Sequence, residues 1–405
     1  MMRKIICQNA LRTAGYSRLL THLSAFPNSK NVNEIEKREN LKKANRVVIK
    51  VGSSVVINPN GHLSLSKIGG LVEQLRILKQ QGREVLLVSS GAVGLGRCIL
   101  GMEKDVIADP ANVIDRQACA ATGQEMLMST YYSMCSALGM ECAQVLLTQQ
   151  DFSSPQRYTY LTDTIEKIMK QGMIPIINEN DVVTGCQELD KERCFSDNDM
   201  LSALVAAGVQ ANAVAIMTDV DGVYTRPPEI QGAKRISLFS QDSDVNISNK
   251  SSFGRGGMAS KISAAKTAAD GGACAIIANG SNIANVSRIF NGEVVGTLFP
   301  SVNAPPSRIH HWLAYAATCS GKLTVKSSAM AKLEDTKQEA LFIDDILGVN
   351  GMFGASSAVS LMSERGDKEL ARGLVQCGAT EIEKQLGKHL YDLAVMKSSD
   401  MVVRA

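Results

Sequence analysis

At 405 residues the chain exceeds one typical domain, so two domains, or one large domain with an appendage, are expected. A net charge of +3 is small for that length and gives no electrostatic footing for nucleic acid or an acidic membrane surface. Apolar residues at 45% and charged residues at 20% are an ordinary soluble composition, and no apolar run reaches the roughly 18 to 20 residues that span a bilayer.

The first 33 residues carry Arg3, Lys4, Arg12, Arg18 and Lys30 and no acid, with Ser, Leu and Ala between them. That resembles an amphipathic mitochondrial presequence, the other reading being a plain basic tail. Residues 1–45 are set apart as an N-terminal extension, and the protein is expected in the cytoplasm, or in the mitochondrial matrix if the extension is a presequence. The ten cysteines are scattered, no two of them two residues apart, and only five histidines accompany them. A structural zinc site is disfavoured, and the thiols read as reduced, small core hydrophobes of an intracellular protein.

From Arg46 short runs rich in Val and Ile alternate with helix-length amphipathic stretches, the pattern of a parallel α/β sheet. The runs from Arg46 to Val51, Glu84 to Val88, Ala143 to Leu147, Ile174 to Ile177, Ala213 to Met217 and Ala273 to Ala278 read as strands buried on both faces. A helix with Ile68, Leu71, Val72, Leu75 and Leu78 on one side closes at Gly82, and another runs from about Met258 to Asp270. Pro305-Pro306 mark a linker over 303–320. Residues 321–405 form a compact tail with strand-like runs at Leu323 to Val325, Ala358 to Leu361 and Met401 to Val403, its charges nearly balanced.

Four stations follow predicted strands, where ligands gather in open α/β sheets. Lys50-Val51-Gly52-Ser53-Ser54 offers a point charge, hydroxyls and backbone amides to a phosphate, although a lysine ending a strand is more often a solvated rim charge. Ser89-Ser90-Gly91-Ala92-Val93-Gly94-Leu95-Gly96 puts small residues at a strand-to-helix turn, either an anion site or a tight turn. Asn178-Glu179-Asn180-Asp181 and Asp197-Asn198-Asp199 can accept from an ammonium group; equally, Asp199 could cap a helix beginning near Leu201. Thr218-Asp219 and the run Gly254 to Lys261 complete the set, the glycines opening a helix whose amides can receive a nucleotide phosphate.

In order, VVIKVGSSVV, LLVSSGAVGLG, RQACAATGQ, IPIINENDVV, FSDNDMLSALVA, IMTDVDGVYT, GRGGMASKISAA and VGTLFP resemble the amino acid kinase family, most closely its glutamate 5-kinase branch. The resemblance covers nearly all of residues 46–300, within an expected kinase domain of 46–302, and implies a doubly wound αβα sandwich with a mainly parallel sheet. The tail, with ERGDKELARGLV, looks like the small β-rich PUA domain many members of that branch carry. The resemblance implies that Ser90, Asp181 and Asn198 hold glutamate. It places Thr218, Asp219, Arg255, Gly256, Gly257, Met258, Ala259, Ser260 and Lys261, with Lys50, on ATP, and makes Lys50 and Lys261 the catalytic pair. It also implies magnesium carried by the nucleotide, a homo-oligomer, and functional coupling to a glutamyl phosphate reductase. Asp197 or Asp199 would orient the lysines or the metal shell. Two rivals stand beside this reading. One is a kinase of the same fold acting on another small carboxylate or phosphate. The other is an RNA-associated PUA protein with an inactive kinase part, which the near-neutral tail disfavours.

Overall fold

The structure, a computed structural model, describes residues 34–109, 111–184, 197–240, 257–302, 305–334, 339–388 and 393–403. These fall into two compact units, 34–151 with 157–305 and 152–156 with 306–403.

In chain order the helices of the larger unit are α1 (Glu34–Lys42), α2 (Ser53–Val56), α3 (Leu65–Gln80), α4 (Ala92–Ile99), α5 (Lys104–Ala108), α6 (Val113–Ala137), α7 (Pro155–Lys170), α8 (Asn198–Gly208), α9 (Met258–Asp270) and α10 (Asn285–Phe290). The first residues of α7 belong to the smaller unit. Its strands are β1 (Arg46–Val51), β2 (Glu84–Ser89), β3 (Cys142–Leu147), β4 (Ile174–Glu179), β5 (Ala213–Thr218), β6 (Cys274–Asn279) and β7 (Thr297–Phe299), in the order β3-β4-β2-β1-β5-β6-β7. Every pairing is parallel except β6 with β7.

All six expected strands are present, the first with its expected ends and the others with ends moved by one or two residues. Five are buried along nearly their whole length, as strands covered on both faces must be. β3 is the exception: it forms one edge of the sheet, and Gln144 on it is exposed. The three-residue β7, at the opposite edge, was not foreseen as a strand. From β1 the chain winds outward to β2 on one side and later to β5 and β6 on the other. The C-terminal ends of β1 and β5 therefore flank the crevice where doubly wound sheets bind ligands.

Helices α4 and α6 meet backbone to backbone. A Cβ at Gly96 would lie 1.8 Å from the Cys119 carbonyl oxygen, and one at Gly123 would lie 1.9 Å from that of Ala92. Only glycine at both positions allows this approach, which lays α6 alongside the loop that follows β2. Helix α1, inside the segment set apart as an extension, is anchored by fully buried Arg38. Its guanidinium donates to the carbonyls of Ser237 at 2.9 Å, Val295 at 3.0 Å and Glu293 at 3.2 Å, and pairs with Glu34 at 2.9 Å.

The smaller unit is β-rich, as expected. It holds α11 (Arg308–Tyr315), β8 (Gly321–Val325), α12 (Ser327–Glu334), β9 (Ala340–Phe342), β10 (Ile346–Asn350), β11 (Ala358–Met362), β12 (Glu369–Leu374), α13 (Ala379–Gln385), β13 (Ala394–Lys397) and β14 (Met401–Val403). Five strands pair in the order β10-β8-β11-β12-β14, and β13 pairs with β9. The expected linker contains α11, capped by Ser307, whose hydroxyl accepts from the His310 amide. Trp312 on it is fully buried and donates from its indole nitrogen to the Phe152 carbonyl at 2.7 Å. Eight residues after a Pro-Pro pair are too few to announce a helix by periodicity.

Candidate active site

Lys50 is the penultimate residue of β1, with only 4% of its surface exposed, where a solvated rim charge would stand free. Its ammonium group lies 2.5 Å from Oδ1 of Asp199, and Oδ2 of the same carboxylate lies 3.0 Å from Nζ of Lys261. One buried carboxylate thus holds two lysines 211 residues apart in sequence (261 minus 50). Burial alone would raise the Asp199 pKa. The ammonium groups of Lys50 and Lys261 more than reverse that, and the carboxyl is held below its usual range.

The helix expected near Leu201 begins three residues earlier, and its cap is Asp197 rather than Asp199. Oδ1 of Asp197 accepts from the amides of Asp199 at 3.0 Å and Met200 at 3.1 Å. With the cap supplied from outside the helix, Asp199 in the first turn is free to turn toward the lysines. The other Asp197 oxygen accepts from the Ser260 hydroxyl, which ties the start of α8 to the start of α9. Gly257 is the extended residue before α9, and Met258, Ala259, Ser260 and Lys261 form its first turn. Arg255 and Gly256 lie outside the described residues.

A second cluster lies over the ends of β2 and β4. Ser90 follows β2, and Gly91 turns the chain at φ 119°, where a Cβ would strike Val56. Asn198 donates from Nδ2 to the Ser90 hydroxyl and to Oδ1 of Asn178, both at 2.9 Å. Asn178 in turn donates to Oε1 of Gln124 on α6 at 2.8 Å. Asn198 therefore presents its amide nitrogen inward and leaves Oδ1 buried without a partner among the described residues. Asp181, in the turn after β4, faces Arg116 of α6 at 3.6 Å. Burial raises its pKa, and Arg116 partly offsets the rise.

Sequence reading missed Arg116 and Gln124 as site members, although RQACAATGQ was among the matching segments; it named Asn178 only within the Asn178–Asp181 cluster. Glu179, also in that segment, is 5% exposed, and its carboxyl is pushed up to about 8. Burial is the main cause, and the neighbouring charge of Asp181 adds to it.

Thr218 ends β5 and donates its hydroxyl proton to Asp219 at 3.0 Å, while its carbonyl accepts from the Gly280 amide at 2.6 Å. Two residues on, Asp221 accepts from Asn279 at 2.9 Å. Both line a polar cleft of about 480 Å³ whose wall includes Arg235, Asn285, Arg288 and Gly296. The arrangement thus has a cationic centre on Asp199, an amide and carboxyl cluster beyond Ser90, and a polar cleft beyond Asp219. Two ammonium groups and a helix first turn suit phosphate oxygens, and the amide and carboxyl groups suit a small zwitterion.

Comparison with known proteins agrees with this chemistry. The amino acid kinase family matches residues 45–279. A glutamate 5-kinase of Acaryochloris marina is 39% identical over 355 residues, covering 86% of this chain and 93% of its own. One from Bifidobacterium adolescentis is 37% identical over 361 residues, covering 88% and 92%. Among solved structures, the UMP kinase of Bacillus anthracis covers 64% of this chain at 14% identity and a TM-score of 0.45. The extent of the family match, and relatives aligned over most of their length, establish that the chain belongs to the amino acid kinase family.

Proposed function

We propose that this protein transfers the γ-phosphoryl group of ATP to the side-chain carboxylate of L-glutamate, giving L-glutamyl 5-phosphate, the reaction of a glutamate 5-kinase and the first step toward proline. The observation that carries this reading is the convergence of Lys50 and Lys261 on Asp199, beside the Ser90–Asn198–Asn178 cluster.

A glutamate side-chain carboxylate has a reference pKa near 4.3, so the nucleophile is already ionised at neutral pH and needs no general base. The barrier is the meeting of two anions. The site residues answer it by alignment and charge: two ammonium groups and one carboxylate leave a net positive centre, fixed in advance by the Asp199 bridge. Lys50 at the end of β1 and Lys261 in the first turn of α9 would stabilise charge spreading over the transferred phosphoryl group. Ser90, Asn198 and Asp181 would hold the amino acid. Thr218, Asp219 and the start of α9 would hold the nucleotide, its outer end directed to the cleft beside Asp221. Magnesium would arrive on the phosphates, kept by their oxygens and water, and would neutralise part of the tail charge.

The acyl phosphate so formed hydrolyses readily, which favours hand-over to a reductase, and we extend the reading to a homo-oligomer on the strength of the resemblance. Among the described residues no helix is long and apolar enough to cross a membrane. The test is acyl phosphate trapping with hydroxylamine: ATP-dependent hydroxamate should form with glutamate and not with aspartate, acetylglutamate or carbamate, and no nucleoside monophosphate should release ADP. Preference for any other acceptor defeats the proposal.

A further inference from the structure

Four carboxyl groups crowd the ends of β4 and α8, and three of them are already engaged. Asp199 holds two lysines, Asp197 caps α8 and accepts from Ser260, and Asp181 faces Arg116. Glu179 has no ion pair or hydrogen bond of that kind among the described residues, and Arg116 acts on it only at longer range. Its side chain has the Thr184 hydroxyl as a neighbour, and its Oε1 is buried without any hydrogen-bond partner among the described residues. Nε of Arg116 and Oδ1 of Asn198 are buried and unpartnered in the same way. A buried donor on a cation and two buried acceptors, each without a partner among the described residues, have the chemistry to pair with one kind of guest. An amino acid brings an α-carboxylate for Arg116 and an α-ammonium group for Glu179 and Asn198.

We propose that Glu179 is the specificity-determining residue for the substrate's α-ammonium group, with Arg116 for the α-carboxylate, and that Glu179 exchanges its own proton for that cation as the amino acid binds. This rests on the glutamate reading above. A buried carboxyl without a direct ion pair is pushed toward its protonated form, and here burial, Asp181 and Asp197 favour that form, against Thr184 and Arg116. The ammonium group supplies the missing charge. The neutral carboxyl becomes a carboxylate bound to the ammonium, and one proton leaves to solvent. A substrate with the same reacting carboxylate but no amino group, glutarate, gives the site nothing to exchange. It leaves the buried oxygens of Glu179 and Asn198 unpaired.

Calorimetric titration of the unmodified protein with glutamate, at pH 7 in buffers of different ionisation enthalpy, counts the protons. A carboxyl titrating near 8 should release about 0.9 proton per glutamate bound. Glu179→Gln should lower kcat/KM for glutamate by about 10- to 150-fold, the range for one hydrogen bond to a charged group, and leave the glutarate rate nearly unchanged. In the unmodified protein the glutamate KM should fall as pH rises from 6 to 8, and in the variant it should be flat. Zero proton release, or a Glu179→Gln enzyme that keeps its preference for glutamate over glutarate, overturns the inference while glutamate-dependent hydroxamate formation stands. Loss of that hydroxamate signal in the unmodified protein would instead sink the parent reading.

Discussion

Replacing Asp199 with Asn keeps the shape of the side chain and removes the charge that holds the catalytic centre together. At 3.0 Å, and with the effective dielectric of about 20 that suits protein sites, each lysine–carboxylate attraction is worth about 5 kcal/mol before desolvation is subtracted. Asn retains hydrogen-bonding capacity and none of that attraction. It leaves two ammonium groups, 5% and 12% exposed, without the carboxylate that bridged them. Breaking a buried pair by removing one partner costs about 3 to 5 kcal/mol, and the lysines can avoid that cost only by moving apart or losing a proton. Either response removes the prearranged positive centre, so kcat should fall about 100- to 1,000-fold, the range for loss of a single preorganised electrostatic contact. The glutamate KM should shift less than about threefold, because the Ser90–Asn198–Asn178 bonds do not involve Asp199. Steady-state hydroxamate kinetics, with a thermal melt to confirm folding, provide the measurement. A folded Asp199→Asn enzyme with kcat within a few-fold of the parent would refute the bridge as the organising element.

Lys261→Ala should lower kcat far more than it alters glutamate affinity, and Asp181→Ala should raise the glutamate KM with a smaller change in kcat; variants behaving like the parent would remove both roles. The unliganded protein should lose stability as pH rises from about 4.5 to about 8, because folded Glu179 keeps a proton that the unfolded chain has released. Glu179→Gln should flatten the melting temperature across that window. Asp199 works in the opposite sense: its depressed pKa contributes stability present above the unfolded value and lost as pH falls through the folded one, so acid unfolding should come earlier for the parent than the Glu179 trend alone implies. Gly123→Ala should cost about 3 kcal/mol or more by denaturant melt, since its methyl would sit 1.9 Å from the Ala92 oxygen and force α4 from α6.

The parallel sheet was legible because its strands are continuous apolar runs, and a run such as RVVIKV permits no other burial. Lys50, Ser90, Asn198 and Lys261 were legible as motif residues, and the structure brings them to the same end of that sheet. The division of labour between Asp197 and Asp199 was not. Both residues are good caps, and a two-residue difference in where α8 begins decides which carboxylate is released to bind lysine. Arg116 and Gln124 escaped notice for another reason. They lie in the long helix α6, and their partners Asp181 and Asn178 are 65 and 54 positions away (181 minus 116, 178 minus 124). Their placement depends on Gly96 and Gly123 letting two helices touch, which is a tertiary fact with no local period. Helix α11 and strand β7 were lost to shortness, and Arg38 to its place in a segment whose composition drew attention to targeting instead.

Placing like charges close together is costly unless each has a different compensation, and the site gives each carboxyl a different one. Asp199 stays charged because two ammonium groups flank it, and Asp197 is held by backbone amides and a serine hydroxyl. Asp181 shares its charge with Arg116, while Glu179 is pushed toward the neutral form. The result is a gradient along the sheet's C-terminal edge, with positive charge over β1 and unmet hydrogen-bonding capacity over β4. On the proposed function, a nucleotide tail would be drawn to the first and a zwitterion to the second, and the two reacting anions would meet where Asp199 joins the two halves through Lys50 and Lys261. Moving that one charge by a single helical residue would leave the lysines unbridged, so the cap at Asp197 is as much a part of the reaction geometry as the lysines themselves.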